Sequence, residues 1–195
     1  FILKKAISFD EVNDLIENYE EKYTDIVFND LRKFGFLKLV ANNDISQVKS
    51  LSDYGPEPLD PNFSFKKFVE KIRSRKNMAI KLGLMDPKVV SGIGNIYSDE
   101  ILYLAGVRPD RKVSDLKVKE LEKIFAQIKP VLITGIKHKG SSVGDFIRTD
   151  GSWGSMGKHH FVYGRKKQGC KRCGTIILAL KLGGRTGCFC PKCQK

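Results

Sequence analysis

Acidic residues are missing from the part of the chain where basic residues are densest. Residues 163–195 contain nine Lys or Arg side chains and no Asp or Glu. Over the whole sequence, 35 Lys and Arg against 22 Asp and Glu give a formal net charge of +13. A solvated surface normally mixes both signs of charge, so this imbalance predicts a partner that carries phosphate, with nucleic acid first.

Long apolar runs are also lacking. No stretch is long enough to cross a bilayer, and no secretory signal pattern is present, so we expect no membrane partner. A hydrophobic content of 41% over 195 residues nevertheless predicts a globular protein of one or two domains. The sequence begins at Phe1 instead of Met, within a strand-like stretch, which leads us to expect a fragment or a processed start.

Cysteine is absent from residues 1–169, which excludes a dispersed disulfide framework and favours a reducing, intracellular compartment. Four of the five cysteines form two Cys-x-x-Cys pairs, Cys170 with Cys173 and Cys190 with Cys193, sixteen residues apart. This spacing predicts a zinc ribbon that holds one structural Zn²⁺ on a β-hairpin. Two disulfides or free core cysteines are the alternatives. Cys188 has no pair of its own and is expected not to bind the metal.

The first sixty residues predict a short acidic helix and then a hairpin with its tip at residues 30–35. In that tip, Phe34 could cap a core or insert between bases while Arg32 contacts a base edge, and the core role is favoured from these residues alone. Residues 53–63 contain three of the seven prolines and are predicted to be a linker.

Apolar periodicity between residues 64 and 140 predicts several helices. Ser64 is expected to cap the first, Asp86-Pro87 to open one or two turns, and Ser114 to start a long helix that Pro130 kinks or splits. The predicted core stripe of the long helix is Val118, Leu121, Ile124, Phe125, Ile128 and Leu132.

Two stretches in this region leave alternatives open. In Gly92-Ile93-Gly94-Asn95, a tight turn precedes a helix that Asn95 is expected to cap, which is either a simple helix corner or a phosphate site. Residues 140–160 are Gly-rich and predict a long mobile loop with short strand pieces. His159 and His160 are expected to begin a polar strand and not to bind metal.

Several stretches together resemble one family, the bacterial formamidopyrimidine-DNA glycosylase and endonuclease VIII group, and the formamidopyrimidine type is the closer. The matching stretches, in chain order, are Asp30-Leu31-Arg32-Lys33-Phe34-Gly35, Tyr54-Gly55-Pro56-Glu57-Pro58-Leu59, Gly92-Ile93-Gly94-Asn95-Ile96-Tyr97-Ser98-Asp99-Glu100, Val162-Tyr163-Gly164-Arg165, and Gly183-Gly184-Arg185 with Cys190-Pro191-Lys192-Cys193-Gln194.

The resemblance implies a mixed α/β fold. Its parts would be a remnant of the N-terminal β-sandwich (1–52), the linker (53–63), an all-helical helix-two-turn-helix domain (64–140), a mobile lesion loop (141–162) and a zinc finger with a β-hairpin (163–195). It also implies a monomer that binds double-stranded DNA containing oxidised bases or abasic sites, in the bacterial cytoplasm and associated with the nucleoid.

The resemblance also assigns roles to single residues. Asn95 and Arg185 would hold the phosphates that flank a flipped nucleotide, and Arg185 would assist the second elimination step. Lys76 and Tyr163 would lie near the DNA backbone. Arg32 and Phe34 would fill the gap in the duplex. The loop would close over the extruded base.

The family's N-terminal proline nucleophile, the glutamate acid after it and a lysine of the β-domain have no match in this sequence, which opens Phe-Ile-Leu-Lys-Lys. The expected activity is therefore excision of oxidised purines (8-oxoguanine, formamidopyrimidine) with abasic-site lyase activity for the family, and inactivity for this chain alone. A non-catalytic truncation that binds damaged DNA and a zinc-ribbon RNA-binding protein are the alternatives.

Overall fold

The structure is a computed structural model and describes residues 53–141 and 152–195. Contacts divide the chain into two units, Phe1–Asp53 and Tyr54–Lys195, and the description below concerns the second. The predicted acidic helix and the hairpin tip with Arg32 and Phe34 lie outside the described residues.

Helices come first and a hairpin last, as the mixed α/β prediction expects, and the prediction is confirmed. The elements are α1 (Phe65–Arg73), α2 (Ile80–Met85), α3 (Asn95–Ala105), α4 (Val118–Lys137), 3-10 helices at Val113–Asp115 and Met156–His159, and strands β1 (Leu178–Leu182) and β2 (Arg185–Phe189). The two strands pair antiparallel with Leu182 opposite Arg185. No helix in the described ranges is long and apolar enough to span a bilayer.

Helix ends follow from local chemistry at two predicted places. The Ser64 hydroxyl accepts a hydrogen bond from the Lys67 N–H (3.4 Å) and caps α1 as expected. Gly106, with φ of +73°, ends α3 in the left-handed conformation that glycine tolerates. The turn predicted to open at Asp86 is not a helix: the Asp86 carboxylate accepts from the Lys88 N–H (2.9 Å) in a tight turn.

The long helix differs from its prediction in three ways. It begins at Val118 because residues 113–115 form a separate 3-10 turn, so Ser114 does not start it. Pro130 lies inside α4 without splitting it, and the Thr134 hydroxyl donates to the Pro130 carbonyl (2.8 Å). Val118 is exposed, whereas the rest of the predicted stripe is buried or half-buried.

One apolar core joins the helices. Its fully buried members include Phe68, Ile72, Ile80, Leu84, Ile101, Leu102, Leu121 and Ile124. The Arg73 guanidinium fastens α1 to the segment before α4 by donating to the Val113 and Leu116 carbonyls, each at 2.7 Å. Tight packing of these apolar side chains gives the body on which the functional residues are mounted.

The segment predicted as a linker is held against the helices. The Gly55 N–H donates to the Pro87 carbonyl (2.7 Å), and the Ser91 N–H donates to the Pro56 carbonyl (3.2 Å). A Cβ on Gly55 would lie 2.6 Å from the Val89 carbonyl carbon, so only glycine permits this approach.

Residues 152–160 form no strand, contrary to the expectation of short strand pieces. Met156–His159 is a 3-10 helix, so His159 does not begin a strand. His160 is buried, and its Nε2 lies 2.9 Å from the Ser141 hydroxyl.

Candidate nucleic-acid interface

Four thiols form a metal centre at the base of the β1–β2 hairpin. The Sγ atoms of Cys170, Cys173, Cys190 and Cys193 all lie within 4.8 Å of one another, with separations of 3.4 Å (173 to 193), 3.5 Å (173 to 190) and 3.9 Å (170 to 193). Tetrahedral Zn–S bonds of about 2.3 Å require sulfur separations of about 3.8 Å. The donor set therefore fits one structural zinc ion, and four protein ligands leave no open position for catalysis.

Thiol chemistry supports a cation at this place. Hydrogen bonds from Thr175 lower the pKa of Cys173 to about 6, whereas burial and the neighbouring thiols raise the pKa of Cys193 to about 12. All four sulfurs can be thiolates together only when a cation offsets their charge. Cys188 lies outside the four-thiol cluster.

The metal centre is joined to the end of α3. The Gln194 side chain accepts from the Cys190 N–H and donates to the Val107 carbonyl, both at 2.8 Å. The Lys195 backbone pairs with the chain after α3, with its N–H on the Gly106 carbonyl and its carbonyl on the Arg108 N–H, both at 3.0 Å. These bonds fix the second cysteine pair to the helical body.

Asn95 is the first residue of α3, and the N-cap is Gly94. The expectation that Asn95 caps the helix is therefore wrong. Its side-chain Oδ1 is buried without a hydrogen-bond partner among the described residues. Because the amide has no capping duty, it stays available to a ligand at the helix N-terminus, where backbone N–H groups already favour an anion.

A buried lysine lies directly behind Asn95. Lys81 Nζ donates to the Asn95 carbonyl (3.0 Å), the Ser98 hydroxyl (3.1 Å) and the Asp99 carboxylate (2.6 Å). The side chains of Lys81 and Asp99 are both 0% exposed. All three ammonium hydrogens thus have acceptors, which is the condition under which a buried charge is tolerated.

The same ion pair holds the hairpin. Asp99 accepts from the Cys188 N–H of β2 (2.9 Å), and a Cβ on Gly187 would lie 3.1 Å from the Lys81 side chain. At the hairpin turn, Gly183 comes equally close to Leu82 of α2. We name Lys81 and Asp99, with these contacts, the brace. It ties Asn95 to the strand that begins at Arg185.

Electrostatics agree with this placement. Burial lowers the pKa of Lys81, and the charge of the exposed Arg185 lowers it further, so Arg185 lies within Coulombic reach of the brace. Burial also raises the pKa of Asp99 to about 6, against the opposing influence of Lys81. Burial therefore costs more than the mutual attraction of the two charges returns.

Glu100, the next residue of α3, positions a second segment. Its carboxylate accepts three backbone N–H bonds, from Phe161 (2.8 Å), Val162 (3.0 Å) and Tyr163 (2.9 Å). The Tyr163 ring lies edge-on to the His160 ring, with centroids 5.4 Å apart. Consecutive carboxylates of α3 therefore hold the hairpin and the Tyr163 segment.

The predicted DNA-contacting residues that fall in the described ranges are Asn95, Arg185, Tyr163 and Lys76. The first three are connected through α3, as above. Lys76 lies after α1 with an exposed side chain, and its carbonyl accepts from the Ser114 N–H (2.9 Å). Lys81, Asp99 and Glu100 were missed by the sequence reasoning, and the only local signal was charge at otherwise apolar helix positions.

Charge is divided sharply along the chain. Residues 1–122 contain 20 basic and 20 acidic residues, whereas residues 123–195 contain 15 basic residues and only Asp145 and Asp150 as acids. The whole net charge therefore belongs to the end of α4, the finger and the segment between them. Such a surface attracts a polyanion.

Known families and relatives match the described unit. Residues 54–146 match the formamidopyrimidine-DNA glycosylase H2TH domain, and residues 168–195 match the zinc finger found in FPG and IleRS. The formamidopyrimidine-DNA glycosylase of Desulfitobacterium hafniense (strain DSM 10664 / DCB-2) is 41% identical over 183 residues, which cover 89% of this chain and 67% of the relative. That of Bacillus subtilis (strain 168) is 39% identical over 171 residues, covering 88% and 62%.

Solved structures of related proteins have the same fold. The MutM (Fpg) protein of Thermus thermophilus matches with a TM-score of 0.78 and 33% identity, over 85% of this chain and 62% of that one. The Lactococcus lactis Fpg in complex with abasic-site DNA matches with a TM-score of 0.77 and 35% identity, over 85% and 60%. The chain spans about two thirds of the length of these relatives. By sequence and by structure, it belongs to the formamidopyrimidine-DNA glycosylase family.

Proposed function

We propose that the unit of residues 54–195 is the DNA-binding part of a DNA glycosylase with abasic-site lyase activity. Its substrates would be oxidised purines, 8-oxoguanine and formamidopyrimidine, in double-stranded DNA. Family membership supports this proposal, and so do the names of the related structures, which include complexes with abasic-site DNA and with carbocyclic 8-oxo-G DNA.

The observation that carries the proposal is the brace. Lys81 bonds the Asn95 carbonyl, and its partner Asp99 bonds β2, the strand of Arg185. A helix N-terminus and a guanidinium held in a fixed relation suit two phosphates of one strand, since phosphate spacing is fixed by the nucleotide backbone. In this proposal Asn95 and Arg185 hold the phosphates on either side of a flipped nucleotide.

The remaining residues would act around that contact. Tyr163, placed by Glu100, and the exposed Lys76 would lie along the backbone. Arg32 and Phe34, outside the described residues, would occupy the gap that the flipped base leaves. Arg185 would also assist the second elimination, because a guanidinium on the departing phosphate offsets the charge that develops on its leaving oxygen.

For the polypeptide Phe1–Lys195 itself, we propose binding without base excision. The sequence offers no match for the family's proline nucleophile or glutamate acid. The buried Lys81 is no substitute, because its ammonium is fully hydrogen-bonded. Borohydride reduction on an 8-oxoguanine duplex should give no trapped adduct, and a covalent product would contradict this part of the proposal.

Binding by the zinc-loaded chain tests the main proposal. Fluorescence anisotropy should show tighter binding to a duplex with a tetrahydrofuran abasic analogue than to the undamaged duplex. Arg185→Ala and Asn95→Ala should each weaken the former by about 10-fold or more, as expected for losing a bond to a charged group. Lys181→Ala is the matched control, because this exposed cation lies on the same hairpin but has no proposed role.

Two outcomes would contradict the proposal. One is equal loss of affinity in Arg185→Ala and Lys181→Ala, which would mean that only total charge matters. The other is equal affinity for undamaged duplex, abasic duplex and single-stranded RNA, which would favour the zinc-ribbon RNA-binding alternative.

A further inference from the structure

The C-terminal end of α4 is joined to the segment that begins at Ser152. The Ser155 N–H donates to the His138 carbonyl (2.8 Å), and the Met156 N–H donates to the Gly140 carbonyl (3.0 Å). A Cβ on Gly154 would overlap the carbonyl oxygen of Gly140, so the two backbones touch. The position of Trp153, next to Gly154, is thereby fixed relative to α4.

Trp153 is the single tryptophan of the sequence, and its side chain is 60% exposed. Close by along the chain, the rings of His138 and His159 stack with centroids 3.8 Å apart, and His138 Nδ1 lies 3.2 Å from the Ser155 hydroxyl. We name Trp153, His138 and His159 the Trp–His surface. Aromatic side chains gain most from burial, so a fixed and exposed tryptophan points to a partner that covers it.

The charge around the Trp–His surface identifies the kind of partner. Lys137, Lys139 and Lys158 flank it with exposed side chains. Residues 123–141 and 152–195 contain no Asp or Glu. Flat rings among cations, with no nearby acid, are what proteins present to single-stranded nucleic acid, where bases stack on aromatic faces and phosphates meet lysines.

The Trp–His surface lies near the end of α3 that carries Asn95. A Cβ on Gly135 of α4 would overlap the Tyr97 hydroxyl, which also hydrogen-bonds Ser141. Tyr97 is two residues after Asn95, in the first turn of α3. A strand held at Asn95 therefore passes close to the α4 end that supports Trp153.

We propose that the Trp–His surface is a stacking platform for an unpaired nucleobase of the DNA strand held at Asn95. A base inside a duplex is covered on both faces, so only a base that has left the stack can use the platform. The inference rests on the proposed function and deepens it: Trp153 favours DNA in which pairing is already broken. Phe at this position keeps a ring and should keep most of the contact.

The single tryptophan makes a direct test possible. The zinc-loaded chain is titrated with an end-labelled duplex carrying a tetrahydrofuran site opposite an unpaired cytosine, and with the fully paired duplex. Label anisotropy reports binding, and tryptophan emission with acrylamide quenching reports the state of Trp153. At saturation with the abasic duplex, we expect quenched emission and reduced access for acrylamide. Unchanged emission and access at saturation would overturn the proposal.

Variants give a second readout. Trp153→Ala should weaken binding of the abasic duplex by roughly 5- to 100-fold, the range expected for one base–aromatic stack. Trp153→Phe should recover most of that loss, and Ile136→Ala should bind normally, because Ile136 is an exposed apolar residue near the same end of α4. Normal binding by Trp153→Ala would overturn the proposal.

The two proposals fail in different ways. If anisotropy shows no preference for the abasic duplex, the proposed function fails and the platform with it. If the preference is present while Trp153 stays accessible and its alanine variant binds normally, only the platform fails.

Discussion

The helical body and the zinc finger are stabilised by different means. The core of the body is one cluster of eighteen buried residues, all apolar, drawn mainly from the four helices. The finger's cluster has six buried residues, of which three are cysteines and one, Tyr103, belongs to α3. A module of about thirty residues buries too little apolar surface to fold alone. The finger therefore depends on its metal and on polar contacts with α3, whereas the body does not.

Removing the metal should separate the two regions most strongly. With excess chelator at neutral pH, we expect residues 168–195 to lose amide-exchange protection while the α1, α2 and α4 amides keep theirs. Zinc binding contributes on the order of 10 kcal/mol to small zinc modules, far more than six buried side chains supply. Hydrogen exchange with mass spectrometry measures both regions in one sample.

Single substitutions sharpen this first prediction. Cys173→Ser should reproduce the chelator result in the presence of zinc, whereas Cys188→Ser, outside the four-thiol cluster, should retain one zinc ion per chain. Simultaneous loss of protection in finger and body would contradict the difference between them.

The brace predicts the next largest effect. Lys81→Met removes the ammonium from the buried Asp99 carboxylate, which then keeps its hydrogen bond from the Cys188 N–H but has lost its counter-charge. An uncompensated buried charge costs about 3–5 kcal/mol, so the free energy of unfolding in urea should fall by that amount. In Lys81→Met/Asp99→Asn the amide oxygen still accepts from Cys188 and no charge remains, so most of the loss should be recovered. A double variant as unstable as the single one would show that lost packing, and not the stranded charge, causes the effect.

Much of this comparison could be predicted from the sequence. The metal centre could, because two Cys-x-x-Cys pairs place their ligands by local chain geometry alone. The start of α1 could, because the Ser64 cap is a contact within one turn. The family resemblance added the order of the domains.

The contacts that join body and finger could not be predicted in this way. Lys81 meets Asp99 across 18 residues, and Asp99 meets Cys188 across 89. Their patterns mark them as ordinary charged helix positions, and only tertiary packing buries them. The cap prediction for Asn95 is wrong because a Gly-Asn pair at a helix start does not reveal which residue is the last non-helical one.

Glu100 gives a smaller and more local effect. Glu100→Gln keeps the volume but offers one acceptor oxygen in place of two, and its NH₂ group would face backbone N–H donors of residues 161–163. We expect a loss of about 2–3 kcal/mol in unfolding free energy. The damage should be centred on the Tyr163 segment, so the Phe161, Val162 and Tyr163 amides should exchange faster while β1 and β2 amides change little. Uniform loss across the finger would contradict the separate roles given to Asp99 and Glu100.

The smallest expected effect concerns the contact between α4 and the segment before the finger. Burial, together with the charges of His159 and Lys137, lowers the pKa of His138 below its ordinary value. The neutral imidazole is therefore the form that the folded state prefers. Its stabilising contribution is complete above the ordinary histidine pKa of about 6.5, and it is lost as the pH falls through the lower pKa of the folded state. Lys139 and Lys158, on the two segments that meet here, disfavour protonation in the same direction.

An NMR titration of the imidazole resonances should place the pKa of His138 below the ordinary value of about 6.5 in the free protein. Near that pKa, the Ser155 and Met156 amides should lose protection relative to the helical body, and His138→Gln should abolish this pH dependence. DNA phosphates close to the Trp–His surface would favour the charged imidazole, so binding of the abasic duplex should raise the pKa of His138 and take up protons. A pKa that is ordinary in the free protein and unmoved by DNA would mean that the ring stack neither strains this histidine nor lies near the bound strand.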